Sequence, residues 1–160
     1  EGKEAYIWLK LNSLVDEELI SKLYQASEAG VKVKLIVRGI CSLVPGIKGI
    51  SENIDVISIV DKFLEHSRIL VFCNEGDDKY FIASADLMSR NLDHRSEVAV
   101  PIYDPELQKE IRDFLTIQFR DNCKARVINK TQDNTYRKSA AKLKHRAQDE
   151  FYSFLRKKLI

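Results

Sequence analysis

Cysteine is scarce in this 160-residue chain, and its pattern is unpaired. Cys41, Cys73 and Cys123 make an odd number with no repeated spacing. That argues against a disulfide framework or a zinc site and for a reducing compartment, so the expected location is the cytoplasm. Cys73 lies inside an apolar strand pattern and is expected as a small buried residue. Long hydrophobic runs are missing too: nothing approaches the roughly 18 apolar residues that cross a bilayer. No secretory leader is expected, and peripheral contact with a membrane stays open. Internal repeats and low-complexity tracts are absent, so one domain with its own core is expected over the whole length.

An excess of one charge is also missing. The net charge is +2, with 44% hydrophobic and 31% charged residues, an ordinary balance for a globular protein. That small net value hides an asymmetry. Residues 129–160 hold nine Lys or Arg against three Asp or Glu, while residues 1–128 hold 17 against 21. A basic end of this kind fits contact with a polyanion, but a solvated helix face is the commoner explanation.

What is present reads as alternating strands and helices. Ala5–Leu9 is an apolar strand that starts without a preceding cap. Gly2 would suit the end of an earlier helix, so the chain is expected to be a piece of a longer protein. A turn over Lys10–Ser13 leads to a helix over 14–29, capped by Ser13 or Asp16 and ended by Gly30. Val31–Val37 alternates apolar residues with Lys32 and Lys34, the pattern of a half-buried strand. Residues 40–53, with Pro45, Gly46 and Gly49, read as a loop. Strands follow at Ile54–Val60, Arg68–Cys73, Lys79–Ala83 and Glu97–Ile102, with a hairpin turn at 74–78. Pro105 opens a helix to Arg120 with the stripe Leu107, Ile111, Phe114, Leu115 and Gln118. Ala125–Ile128 reads as an edge strand. A last helix is expected over 136–158, with Tyr136, Ala140, Leu143, Ala147, Phe151, Phe154 and Leu155 on one face. This order predicts an α/β domain, a mixed sheet with helices on its faces.

Three places carry candidate chemistry. Glu65-His66-Ser67-Arg68 enters an apolar strand, where residues two apart share a face. His66 and Arg68 therefore reach one ligand together, a proton-transferring imidazole beside a permanent cation, which suits phosphate. Taken alone, the same four residues also fit a strand edge with a surface His and a surface Arg. Arg38-Gly39 ends a strand, where α/β folds place ligand contacts; a surface ion pair is the alternative. The polar stretch 84–95, with Ser84, Arg90, Asn91, Asp93, His94 and Arg95, lacks the periodicity of a core element and is dense in phosphate-binding side chains.

Four motifs together resemble one family. They are Lys10-x-Asn12-Ser13-Leu14-x-Asp16, Leu35-Ile36-Val37-Arg38-Gly39-Ile40-Cys41, Glu65-His66-Ser67-Arg68, and the run from Ser84-Ala85-Asp86 through Arg90-Asn91 and Arg95 to Glu97. In order and spacing they are similar to the C-terminal domain of bacterial polyphosphate kinase over residues 1–128, and more loosely in the final helix. The resemblance implies a phospholipase D-like fold in one domain over 1–160, with 129–160 its basic helical segment. It implies an enzyme that moves the terminal phosphate of ATP reversibly onto inorganic polyphosphate through a phosphohistidine that is not in this chain. His66 is then the catalytic histidine facing the transferred phosphate, and Arg38 and His66 contact ATP or ADP. Lys10, Arg68, Ser84, Arg90 and Arg95 are implied to bind phosphate or polyphosphate. Magnesium is implied with the nucleotide, its ligands outside the chain, and no metal ligand is expected within it. Preceding domains of the same enzyme and a homo-oligomer of the full-length protein are implied as partners, and nucleic acid is not.

The chain departs from phospholipase D itself, whose pattern is His-x-Lys with an Asp five residues after the Lys. Arg68 replaces that Lys, Cys73 stands at the Asp position, and Ser84-Ala85-Asp86 replaces Ser-x-Asn. Two rivals remain. One is a phospholipase D-superfamily phosphodiesterase acting as a homodimer. The other is a non-enzymatic polyanion-binding module using Lys142, Lys144 and Arg146. His145 is expected on the surface, and His94 is either exposed or part of the site. Asp86 and Asp93 are expected to cap and to pair with arginines rather than to hold a metal.

Overall fold

A computed structural model describes residues 3–138 and 143–158. Its elements, in chain order, are β1 Tyr6–Leu11, α1 Glu17–Glu28, β2 Lys32–Val37, β3 Ile54–Ile59, β4 Arg68–Phe72, β5 Lys79–Ala83, α2 Ser89–Leu92, β6 Ala99–Ile102, α3 Pro105–Phe119, β7 Ala125–Ile128 and α4 Ala147–Lys158. The strands form one sheet in the order β6-β5-β4-β1-β2-β3-β7. β1, β2 and β3 are parallel, and β4 to β7 pair antiparallel with their neighbours. This is the expected mixed α/β sheet.

Period-2 alternation gives the sheet two apolar faces. Leu9, Leu11, Val33, Leu35, Val37 and Val56 meet α1 through Ile20 and Leu23, with Leu14 and Leu43 from the loops. On the other face, Ile36, Ile57, Ile69, Val71 and Tyr80 meet Leu115 of α3 and Ala147 of α4. The sheet's central strands are therefore covered twice. β2 is more buried than expected: Ile36 is buried as well as Val33, Leu35 and Val37. Lys34 stays exposed and lies over the rings of Trp8 and Phe119.

Helix ends follow their capping residues. Asp16, not Ser13, caps α1, accepting from the Leu19 N–H at 3.0 Å. Leu14 thus lies outside the helix, fully buried, bridged to Cys41 and Leu87. Gly30, with φ of 91°, takes the left-handed position after the helix. Asp104 caps α3 through the N–H groups of Glu106 and Leu107.

Three expectations are corrected. β1 runs on through Lys10 and Leu11, which had read as a turn. Cys73 is half-buried, its Sγ 3.4 Å from the Glu4 carbonyl oxygen. The last helix begins at Ala147, not near residue 136. Tyr136 instead pairs with Arg126 beside β7, and Leu143 is exposed; Ala140 lies outside the described residues. The physical reason lies at residues 121–122. Asn122 pins Leu143 and His145 through its side chain and its N–H, which keeps residues 143–146 out of the helix. The Asp121 carboxylate then receives the Ala147 N–H at 2.7 Å and starts the helix.

Asp121 is fully buried and also accepts the N–H groups of Cys123, Lys124 and Ala125. Asp121→Ala would orphan four backbone donors. Those of Ala125 and Ala147 are buried, and each buried orphan costs about 1–3 kcal/mol, so a loss of roughly 2–6 kcal/mol is expected in denaturant melts, with Asp121→Asn milder.

Candidate active site

The parallel strands β1, β2 and β3 all end at one edge of the sheet, and β4 starts there. To reach β4 from β3, residues 60–67 must cross the ends of β2 and β1. His66 is carried by this strap. Carboxyl ends of parallel strands at a change of strand direction are where open α/β sheets collect ligand-binding loops.

Arg68 is the first residue of β4. Its two terminal guanidinium nitrogens each lie 3.4 Å from one of the two ring nitrogens of His66. Those two ring nitrogens direct their lone pairs apart, so one planar fork cannot meet both in plane; the guanidinium lies against the ring face. Arg68 also donates to the His66 carbonyl oxygen at 3.2 Å. The expected sharing of one face by His66 and Arg68 is thus a direct contact, with His66 exposed.

Asp86 fixes Arg68. Its carboxylate accepts from Arg68 at 3.1 Å and from the N–H groups of Asn12 and Ser13 at 2.7 and 3.1 Å. Asp86 is 7% exposed. Burial pushes its pKa up, but Arg68 and the two backbone donors outweigh burial, leaving it below the ordinary aspartate value. The stretch 84–92 lacks periodicity because it is stitched to the loop after β1 instead of packing as a regular element. Val15 and Asp16 donate to the Leu87 carbonyl, Leu87 donates to Ser13, and the Ser89 hydroxyl donates to Asp16.

Arg38 follows β2. Its Nε donates to Asn12 Oδ1 at 3.0 Å, which holds the guanidinium beside the end of β1. Gly39 follows for steric reasons rather than for flexibility: a Cβ there would lie 2.9 Å from the Asn12 carbonyl oxygen. Lys10 is only 3% exposed, and its ammonium sits 3.3 Å from Glu65. Burial lowers its pKa, and Glu65 partly restores it. Ser84 donates to Glu97, and Glu97 also accepts from Asn91. Arg90 and Arg95 are exposed and form no ion pair among the described residues. The structure therefore brings His66, Arg68 and Arg38 to one edge, buries Lys10 beneath it, engages Ser84 with Glu97, and leaves Arg90 and Arg95 on the surface.

His94 is exposed. His145 is half-buried, its Nδ1 2.6 Å from Glu150, and precedes α4 instead of lying on it. An apolar groove of about 530 Å³ opens beside His66, between the strap, α3 and α4, with Phe63, Phe114, Phe151 and Tyr152 in its walls. Among the described residues no three His, Cys, Asp or Glu side chains gather into a metal-holding group. Residue reading gave no role to Glu65, Gln118 or Gln148, which meet behind His66. One signal was available: Gln118 is the polar member of the α3 apolar stripe.

The sheet order, with helices on both faces, gives the chain a phospholipase D-like fold. A solved phospholipase D family member, Nuc from Salmonella typhimurium, superposes with a TM-score of 0.61 at 16% identity, over 80% of this chain and 84% of that one. At that identity the likeness is one of fold. The chain belongs to the family described as polyphosphate kinase C-terminal domain 2, whose family model matches residues 1–148. A polyphosphate kinase from Vibrio vulnificus is 54% identical over 155 residues, 97% of this chain and 22% of its own length. The crystal structure of polyphosphate kinase from Porphyromonas gingivalis matches with a TM-score of 0.95 at 50% identity, covering 98% of this chain and 24% of that one. The chain thus spans less than a quarter of the length of these polyphosphate kinases.

The Asp86 pair has a pH signature. With a folded pKa below the unfolded value of about 3.9, its stabilisation is present above that value and is lost as pH falls through the folded pKa. Asp86→Asn should therefore cost about 2 kcal/mol at neutral pH, the scale of a charge-assisted hydrogen bond. That difference should shrink below about pH 4 in melts across the acid range.

Proposed function

We propose that this chain, residues 1–160, forms the second half of a polyphosphate kinase active site, the phospholipase D-like C-terminal domain of a longer enzyme. That enzyme transfers the terminal phosphate of ATP reversibly to inorganic polyphosphate. The observation that carries this reading is His66 held face-on by Arg68, with Arg68 fixed by Asp86 and Arg38 fixed by Asn12.

In the first step a histidine outside this chain attacks the terminal phosphorus. An N–P bond forms, and the bond to the bridging oxygen breaks, releasing ADP. In the second, the terminal oxygen of polyphosphate attacks that phosphorus and frees the histidine. Both transition states spread negative charge over the equatorial oxygens, so fixed cations do most of the work. Arg38 binds the nucleotide phosphates. His66 faces the transferred group and exchanges a proton with the leaving or attacking oxygen. Arg68 orients His66 and adds positive charge. Arg90 and Arg95, exposed near the site, guide the polyanion, with Ser84 contributing at its margin; Lys10, buried and paired with Glu65, does not reach it. The Asp86 oxygens are occupied by Arg68 and two backbone groups, so a magnesium ion accompanying the nucleotide would take any protein ligands from elsewhere in the enzyme. The preceding part of the enzyme packs over the apolar groove beside His66, and the complete protein works as a cytoplasmic homo-oligomer.

The rivals fit less well. A phosphodiesterase of the phospholipase D type needs a Lys and an Asp where Arg68 and Cys73 stand. A polyanion-binding tail loses Arg146, which pairs with Asp61 at 2.7 Å; Lys144 is exposed, and Lys142 lies outside the described residues.

In the full-length enzyme, His66→Ala and Arg38→Ala should each lower polyphosphate synthesis by about 100-fold or more, the scale for losing one electrostatic donor. Their melting curves should stay near that of the parent. The isolated 160-residue chain should make no polyphosphate. Synthesis at the parental rate by the His66 variant, or any turnover by the chain alone, would refute the reading.

A further inference from the structure

The strap that carries His66 has almost no apolar anchorage. Ile59 and Ile69 are buried at its two ends, but no residue from Val60 through Arg68 is buried, and Phe63 and Leu64 are 63% and 73% exposed. Hydrophobic burial, the usual source of rigidity, is missing there, and one flank of the strap borders the open groove. Polar contacts hold it instead, and most come from α4 and the residue before it.

Arg146, just ahead of α4, forks onto Asp61 with 2.7 and 2.9 Å bonds. Gln148, in the first turn of α4, grips Phe63 on both sides: its Oε1 accepts the Phe63 N–H at 2.9 Å, and its Nε2 donates to the Phe63 carbonyl at 2.8 Å. The same Nε2 lies 3.1 Å from Glu65 Oε1. Glu65 Oε2 accepts from Gln118 of α3 and faces the buried Lys10 ammonium at 3.3 Å. Lys10 and Gln118 are both nearly fully buried, so Glu65 answers a desolvated cation while bonding α3 and α4. It is also bonded covalently to His66.

We propose that Glu65 and Gln148 are positioning residues for His66: α4 clamps the strap and thereby sets where the imidazole meets the transferred phosphate. This inference rests on the catalytic reading of His66, but its geometric half can be measured without turnover. An imidazole held by Arg68 is fixed on one side only; without the α4 clamp, the strap would keep only the anchor of Glu65 on Lys10 and Gln118. Displacement of about 1 Å is enough to cost roughly 100-fold in rate.

Two readouts test it on Gln148→Leu and Glu65→Ala, with Lys157→Ala, an exposed residue of α4 remote from the strap, as control. In the 160-residue chain labelled with ¹³C-histidine, the His66 ring resonance should shift or broaden in the two variants and not in the control, while that of His94 stays in place. In the full-length enzyme, kcat for polyphosphate synthesis should fall by about 10- to 100-fold with KM for ATP within about threefold. Glu65→Gln, which retains the acceptor, should recover much of that loss. If Gln148→Leu does not fold, Gln148→Glu serves, since it keeps the acceptor for Phe63 and removes both amide donations. An unchanged His66 resonance, or an unchanged kcat in a folded variant, overturns the proposal. If His66→Ala itself retains full turnover, the catalytic reading fails, and the resonance alone then decides whether α4 sets the ring's place.

Discussion

One buried carboxylate, that of Asp86, joins the three segments from which the candidate site is made. It holds the loop after β1 by two backbone N–H groups, fixes the first side chain of β4 through Arg68, and itself belongs to the stretch leading into α2. A buried anion must be compensated by charge and hydrogen bonds together, and here each donor comes from a part of the chain that the site needs in place. The ordering of Arg68, and through it the face-on seating of His66, follows from that requirement. The same loop after β1 supplies Asn12 to Arg38, so both site arginines are referred to one short piece of backbone.

The sheet divides its labour between its two ends. At the far end, Arg112 of α3 lies over Tyr6, Trp8 and Tyr80 and bonds Tyr6, Tyr80 and Asp78, fastening helix to sheet. Burial there pushes the Tyr6 hydroxyl up to about 12. At the carboxyl end of the parallel strands, by contrast, positive groups stay accessible, beside an apolar groove with exposed aromatic walls. An apolar groove beside His66, near Arg38 and Arg68, fits the proposed half of a shared active site. Polyphosphate kinases roughly four times longer than this chain have ample material to cover it.

Much of this was legible in the sequence, and the reasons are local. The i, i+2 rule placed His66 and Arg68 on one face, and alternation in Val31–Val37 gave β2. Asp104-Pro105 and Gly30 marked helix ends through capping chemistry that depends on neighbours in sequence alone. What failed depended on distant partners. Lys10 read as a turn residue because nothing nearby announces that Glu65 will neutralise it inside the fold. The α4 boundary was misplaced because the helical stripe continues N-terminally, while Asn122 and Asp121, more than 20 positions away, keep 143–146 out of the helix. Nothing local to Gly39 revealed its steric role, which is to let two strand ends approach. The Glu65, Gln118 and Gln148 cluster was invisible for the same reason, with a glutamine inside an apolar stripe as its only trace.

The central claim is that phosphate is met by the Arg38–His66–Arg68 edge and not by the basic C-terminal segment. Calorimetric titration of the chain with ATP and with long-chain polyphosphate tests it most directly. The comparison is between the parent, Arg38→Ala, His66→Ala, and a variant with Lys144 and Lys157 replaced by alanine. The account expects both ligands to bind, with affinity for ATP weakened about tenfold or more, some 1.4 kcal/mol, by either site substitution and left unchanged by the tail variant. Binding that survives loss of Arg38 and His66 but disappears with Lys144 and Lys157 would contradict it.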